Sequence, residues 1–345
     1  MPSSMDELER AAVQLWEAKR LAEYEDVAHG RLALLLLDNA AETSMMRSAQ
    51  VAFVHAEMYG AMAYLLREVA PGDSQGQRLK TEADANALSK RRRRQIEHHF
   101  EDLVDYVFGQ SGFDLELELA ECLKILHRYR NGAYHRDTVR PDVLGPAVQI
   151  YFFLCCQLLR SERHILHEIR EIPASLSEIL GDRKPKSALP GGGVDSATLA
   201  RELSDFFLSA RGLDHAGVAT ALSDHLLARL ATLDRDLTTI GENVPPGINR
   251  RAVLQLVQQL PTDREDFDKD LPPDFWTRPM AVTDEVLIAW KAEATELRGV
   301  RDAYDALRAF AAVEQPLERL EDPVGRFIEG VDRAEQQAFD EMRGK

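Results

Sequence analysis

Along the first half of the chain, apolar residues recur at intervals of three and four, the period of a helix that turns one face to a core. The pattern runs from Asp6 to about Glu68, with a break expected near His29-Gly30 and then a long stretch through Leu35, Met46 and Tyr64. Pro71-Gly72-Asp73-Ser74-Gln75-Gly76 reads as a loop. A third helix is expected over residues 80–108, with Ile96, Phe100, Leu103 and Val107 at helical spacing, closed by Ser111-Gly112. A fourth is expected over 115–129. Pro141, suited to a first helical turn, opens a fifth that continues to about residue 171.

Pro185, Pro190 and Gly191-Gly192-Gly193 give residues 173–196 the composition of a linker. Beyond it, residues 197–240, 249–260, 283–313 and 316–344 read as helices separated by Pro-containing loops. The expectation is an all-α chain of two domains, a helical bundle over 1–172 and a second helical domain over 197–345. In the loop Leu271-Pro272-Pro273-Asp274-Phe275-Trp276 the two aromatics either plug the core, which is the commoner fate, or face a partner.

Composition agrees with helix. Hydrophobic residues make up 45% of the 345, charged residues 29% and aromatics only 7%, a balance that favours helix over sheet. The formal net charge of -16 argues against coating nucleic acid nonspecifically, which draws on surplus Lys and Arg, but allows a local basic patch. Three cysteines, Cys122, Cys155 and Cys156, cannot all pair, and the adjacent two lie in an apolar run; they read as buried thiols of a reducing compartment. Residues 1–20 carry acids throughout, unlike a secretory signal or transit peptide. The apolar runs beginning at Leu32 and Tyr151 fall short of a bilayer span, and a cytoplasmic location is expected.

One segment carries pointed chemistry: Arg130-Asn131-Gly132-Ala133-Tyr134-His135. If Asn131-Gly132 turns the chain at a helix end, Arg130 and His135 can converge on one ligand. A guanidinium is a permanently charged planar fork that matches a phosphate, and an imidazole moves protons near neutrality. Together they suit phosphodiester cleavage. In RNA the 2′-OH already supplies the nucleophile, so the site needs a base, a cation for the phosphorane and an acid for the leaving oxygen. Arg128, Arg130 and Arg136 surround His135 with positive charge, which favours its neutral form and a role as base.

Arg130-Asn131-x-x-x-His135, placed before a long helix, resembles the signature of the HEPN superfamily, helical proteins that include metal-independent ribonucleases of toxin and antiviral systems. The likeness covers about residues 1–172. Leu36-Leu37-Asp38-Asn39-Ala40-Ala41-Glu42 resembles the first-helix segment of HEPN proteins related to abortive infection. The resemblance implies that Arg130, Asn131 and His135 form the catalytic set, that Asp38 or Glu42 orients His135 or Arg130, and that Asn131 fixes the motif by hydrogen bonding. Tyr134 is a further supporting candidate. The likeness also implies a homodimer or pairing with another HEPN protein, since two facing motifs build one cleft, and a regulator or antitoxin as a partner class. Asp137 stands where one toxin subgroup carries a Tyr two places after the His, so silencing by nucleotidylation is not expected. Four other Arg-to-His spacings, from Arg93, Arg94, Arg128 and Arg160, satisfy the bare pattern but lack the Arg-Asn pair.

The run Lys90-Arg91-Arg92-Arg93-Arg94 covers all sides of a helix. Counting back from Ile96 and Phe100 by helical spacing puts Arg92 or Arg93 on the apolar side, where a buried charge demands a partner: Asp38, Glu42 or an RNA phosphate. Arg92, Arg93, Arg128 and Arg136 are thus the RNA-contact candidates. His55, His98, His99 and His127 do not assemble metal-ligand spacing, and no phosphate-loop, serine-hydrolase, zinc-protease or calcium-loop motif occurs. No cofactor or metal is expected. Two other readings fit the same residues, a noncatalytic HEPN module holding RNA or a nucleotide, and a structural subunit with Phe275 and Trp276 at an interface.

Overall fold

A computed structural model describes residues 4–69, 74–110, 113, 115–135, 140–161, 168–169, 171–181, 183, 194–209, 212–243, 248–260 and 274–344. These residues form thirteen α-helices and one two-residue ladder, an all-α architecture. The chain divides into two compact units, Met1–Leu213 and Asp214–Lys345.

The first unit contains α1 (Ser4–Ala22), α2 (Val27–Val69), α3 (Ser74–Asn86), α4 (Lys90–His98), α5 (Phe100–Phe108), α6 (Leu117–His135), α7 (Pro141–Ser161), α8 (Ala174–Leu180) and α9 (Ser196–Ser209). Strand β1 (Glu168–Ile169) pairs antiparallel with β2 (Val194–Asp195). Asp26 caps α2, accepting from the His29 backbone N–H at 2.9 Å. The α1–α2 break therefore falls at Glu23–Asp26, with Glu25 at φ 53°, rather than at His29-Gly30. Gly30 is instead inside α2, where an added Cβ would lie 2.8 Å from Leu144 Cδ2 of α7. That close approach explains a glycine in a helix interior.

Helix α2 is the hub, packing on α1, α3, α5, α6 and α7. Ala33, Leu34, Leu37, Ala40, Ala41 and Met45 are all buried, and their spacing makes one broad apolar face, the stripe of a helix turned to a core. Its closest long-range companion in character is α7, in which Val143, Ile150, Tyr151, Leu154 and Leu159 are buried. Contrary to the reading of short apolar runs, α7 is long and apolar enough to cross a membrane by length and composition; in this fold its apolar surface is spent on α2, α9, α1 and α6.

The helix expected over 80–108 is three helices. Ser89 caps α4 by accepting from the Arg92 N–H at 3.1 Å, and His99 is a single extended residue, φ -121° and ψ 117°, between α4 and α5. The division between units also lies beyond the expected linker. Helices α8 and α9 pack on α1 and α7 and so belong with the first unit, because Leu176, Leu199, Leu203 and Phe207 bury against it. Pro185, Pro190 and Gly191 to Gly193 lie outside the described residues.

The second unit contains α10 (His215–Asn243), α11 (Arg250–Gln259), α12 (Asp284–Glu296) and α13 (Ala303–Met342), with short 3-10 turns at Phe275–Thr277 and Leu297–Gly299. Helix α13 runs through Pro316 and Pro323; the break expected near Pro316 occurs instead at Val300–Asp302, where the Asp302 carboxylate caps Tyr304 and Asp305. Phe275 is buried and Trp276 is 43% exposed, so one aromatic plugs the core and the other does not. Gln255 donates to the carbonyls of Phe275 and Arg278, at 2.8 and 3.0 Å, and fixes that turn.

Arg229 of α10 reaches α13, donating from Nη1 to Glu314 at 3.1 Å and from Nε to Glu321 at 2.9 Å. Glu314 is buried, so this cation offsets a desolvated carboxylate. Arg229→Ala should cost on the order of 3 kcal/mol, measured as a lower midpoint of urea unfolding with far-ultraviolet dichroism otherwise native; a change under about 0.5 kcal/mol would show that the network is solvated.

Candidate functional site

Helix α6 carries the motif. Its backbone remains helical through Asn131-Gly132 to His135, so the turn expected at Asn131-Gly132 is absent. At 3.6 residues per turn, positions 130 and 135 are about 140° apart around the axis. His127, one turn before Arg130, shares the Arg130 face instead. The side chains of Tyr134 and His135, and residue Arg136, lie outside the described residues.

Asp38 of α2 is fully buried, with 0% exposure, and three other helix positions converge on it. Arg130 donates from Nε to Oδ2 at 2.6 Å, and its Nη2 also lies against Oδ2. His127 Nδ1 lies 2.8 Å from Oδ1. The Tyr151 hydroxyl of α7 donates to the same Oδ1 at 2.7 Å. Arg130 Nη1 donates to Asn131 Oδ1 at 2.7 Å. A carboxylate in an apolar helix is costly unless its lone pairs are answered, and here both oxygens are.

The surroundings hold the imidazole from its other side. Phe100, the first residue of α5, stacks on the His127 ring with centroids 3.9 Å apart and planes at 4°. Next to the cluster the Cys155 thiol donates to the Leu37 carbonyl at 3.3 Å, and Arg31 of α2 donates to the Ala133 carbonyl near the end of α6. Arg130 retains 18% side-chain exposure and His127 17%, so the cluster reaches the surface along α6.

The chain matches no family model, no curated protein and no solved structure.

Of the residues singled out in the sequence, Asp38, Arg130 and Asn131 are brought together. Glu42, one turn along α2, is part-buried and makes no hydrogen bond to the cluster among the described residues. Arg128 is exposed, 3.9 Å from Glu101. Arg92 and Arg93 answer to carboxylates other than Asp38 and Glu42. Arg92 pairs with Asp102 of α5. Arg93 donates to Glu97 and Glu57, at 3.0 and 2.9 Å, and lies over the Phe53 ring. His127 and Tyr151 are the members that sequence reasoning missed. The signal for His127 was its position one turn before Arg130; for Tyr151 it was a hydroxyl inside an otherwise apolar run. Among the described residues no three His, Cys, Asp or Glu side chains gather in a way that could hold a metal ion.

Burial pushes the Tyr151 hydroxyl well up from its ordinary 10.0, with the Asp38 charge adding to the effect. The Cys155 and Cys156 thiols are likewise raised from 9.0, first by burial. Tyr151 thus remains a donor to Asp38 across the neutral range, and the two thiols are poor nucleophiles.

Two outcomes follow. Asp38→Ala should cost about 3 to 5 kcal/mol, because it strands the Arg130 charge, whereas Tyr151→Phe should cost about 1 to 2 kcal/mol; chemical denaturation measures both, and equal costs would refute the assignment of Asp38 as the anchor. Above about pH 9 the folded state binds more protons than the unfolded one, since these three groups ionise later when folded. Stability should then fall as pH rises, with a shallower fall in Tyr151→Phe, read from thermal midpoints between about pH 8 and pH 11.

Proposed function

We propose that this protein is a metal-independent endoribonuclease of the HEPN type, suited to a toxin or antiphage role. What supports the reading is the convergence of Arg130 and His127 on the buried carboxylate of Asp38, with Asn131 bracing the guanidinium. The Arg-Asn pair of the HEPN signature is thereby held at a surface-reaching helix face by a fixed counter-charge, a preorganised arrangement for a charge that develops in a transition state.

In the proposed reaction the 2′-OH attacks phosphorus as His135 takes its proton, and the bond from phosphorus to the 5′ oxygen breaks as the imidazolium so formed passes that proton to the leaving oxygen. The products are a 2′,3′-cyclic phosphate and a 5′-OH. Arg130 stabilises the phosphorane: Nη1 has two N–H groups and gives one to Asn131, leaving another to donate. His127 is a second imidazole beside Arg130, its Nδ1 turned to Asp38. Because positions 130 and 135 face about 140° apart on α6, a homodimer or a HEPN-containing partner would complete the cleft by setting one chain's His135 against the other's Arg130.

A second reading, a noncatalytic RNA-binding module, is favoured by one observation: Nε, Nη1 and Nη2 of Arg130 are all engaged by Asp38 and Asn131, as in a guanidinium serving structure.

Incubation with total RNA in EDTA, followed by end-group analysis, separates the two. Wild type should release fragments with cyclic phosphate ends, and His135→Ala should slow this by on the order of 10²- to 10⁴-fold without weakening RNA affinity. Intact RNA with wild type favours the binding module. If His127→Ala abolishes cleavage while His135→Ala does not, the acid/base role moves to His127.

A further inference from the structure

The five consecutive cations of α4 divide into two sets. Arg92 and Arg93 are turned onto Asp102, Glu97 and Glu57. Lys90, Arg91 and Arg94 are exposed and make no ion pair among the described residues. With Gln95, His98 and His99 they line an open depression of about 410 Å³.

Several features make this arrangement a site rather than a solvated face. Side chains of one sign four residues apart on a helix repel one another, and Lys90 and Arg94 have that spacing, yet among the described residues no acidic side chain lines the depression. This occurs in a chain with a net charge of -16, where carboxylates are in surplus. The inward pair anchors α4 to α2 and α5 and so fixes which way the outward set faces. Lys90, Arg94 and His98 recur at one-turn intervals, about 6 Å of rise apart, a ladder of donors along one line. Arg91 and Gln95 form a parallel rank. Among the described residues the lining holds no Phe, Tyr or Trp, so cationic and amide donors outnumber the two imidazole rings, His98 and His99.

We infer that the α4 depression binds successive phosphates of a single RNA strand, without reading its bases. This rests on the reading that the protein acts on RNA and gives that RNA a holding site separate from the Asp38 cluster. A ladder of cationic and amide donors suits an extended polyanion, and contacts made to phosphate oxygens carry no sequence information. Concentrating five consecutive cations in one short helix of an acidic chain gives a local grip in place of a general affinity for nucleic acid.

The experiment uses the full chain and a fluorescent single-stranded 2′-O-methyl oligoribonucleotide, which lacks the attacking hydroxyl and cannot be cleaved by that route. Binding is followed by anisotropy at several KCl concentrations. The triple variant Lys90→Ala, Arg91→Ala, Arg94→Ala removes exposed side chains only and should keep the native dichroism spectrum. It should bind at least about 10-fold more weakly, and its slope of log affinity against log salt should be shallower by roughly 2, about 0.7 for each phosphate that no longer meets a cation. Lys291→Ala in the second unit should change neither. Tripolyphosphate should compete only at concentrations far above those of the oligonucleotide. The inference is overturned if the triple variant matches wild type in affinity and slope, if wild type does not bind the oligonucleotide, or if tripolyphosphate or polyglutamate binds as tightly as RNA. RNA binding through α4 without any cleavage of natural RNA would leave this inference standing and remove the nuclease reading.

Discussion

A single buried carboxylate organises the first unit. Asp38 sits in the most apolar stretch of the hub helix, where it would be untenable alone, and its two oxygens draw a guanidinium and an imidazole from α6 and a phenol from α7. Each donor fixes the rotation of its own helix about its axis. Apolar packing alone specifies contact between α2, α6 and α7; the carboxylate specifies register. The arrangement is consistent with the motif's chemistry, because the same bonds that satisfy Asp38 hold Arg130 with a partly exposed edge.

The basic run of α4 shows the complementary solution to the same problem. Charge that faces the body of the unit is neutralised on the spot by Asp102, Glu57 and Glu97, while charge that faces outwards has no ion pair among the described residues. One run of like residues therefore serves two purposes, set by helical angle. Arg92 and Arg93 contribute to packing, and their neighbours define an exposed cationic surface.

Much of the fold was legible in the sequence. The 3.6-residue period identified the helices around α2, α6 and α7, and composition pointed to an all-α chain of two parts. The misplaced boundaries have local causes. Glu23 to Asp26 carries no Gly or Pro, so the break before α2 left no mark other than the Asp26 cap. His99 interrupts 80–108 with one extended residue, which a periodicity window averages away. Pro316 suggested an end to a helix that continues through it, because the loss of one N–H is tolerated in a 40-residue helix packed on a neighbour. In the site, Asp38, Arg130 and Asn131 could be named from the motif, whereas the pairing of His127 and Tyr151 with Asp38 depends on contacts 89 and 113 residues apart, which no local pattern records. The turn expected at Asn131-Gly132 failed because neither residue ends a helix whose next turn is still packed, with the Ala133 carbonyl held by Arg31.

The joint between α4 and α5 has a mechanical meaning. His99 belongs to both helices: its N–H closes α4 on Gln95, and its carbonyl opens α5 by accepting from Leu103. Its ring borders the basic depression, while the very next side chain, Phe100, is stacked on His127. The joint is braced rather than free: two consecutive residues, His99 and Phe100, lead from the cationic helix to the clamped imidazole, and Arg92 and Arg93 pin that helix to α5 and α2 on its other side.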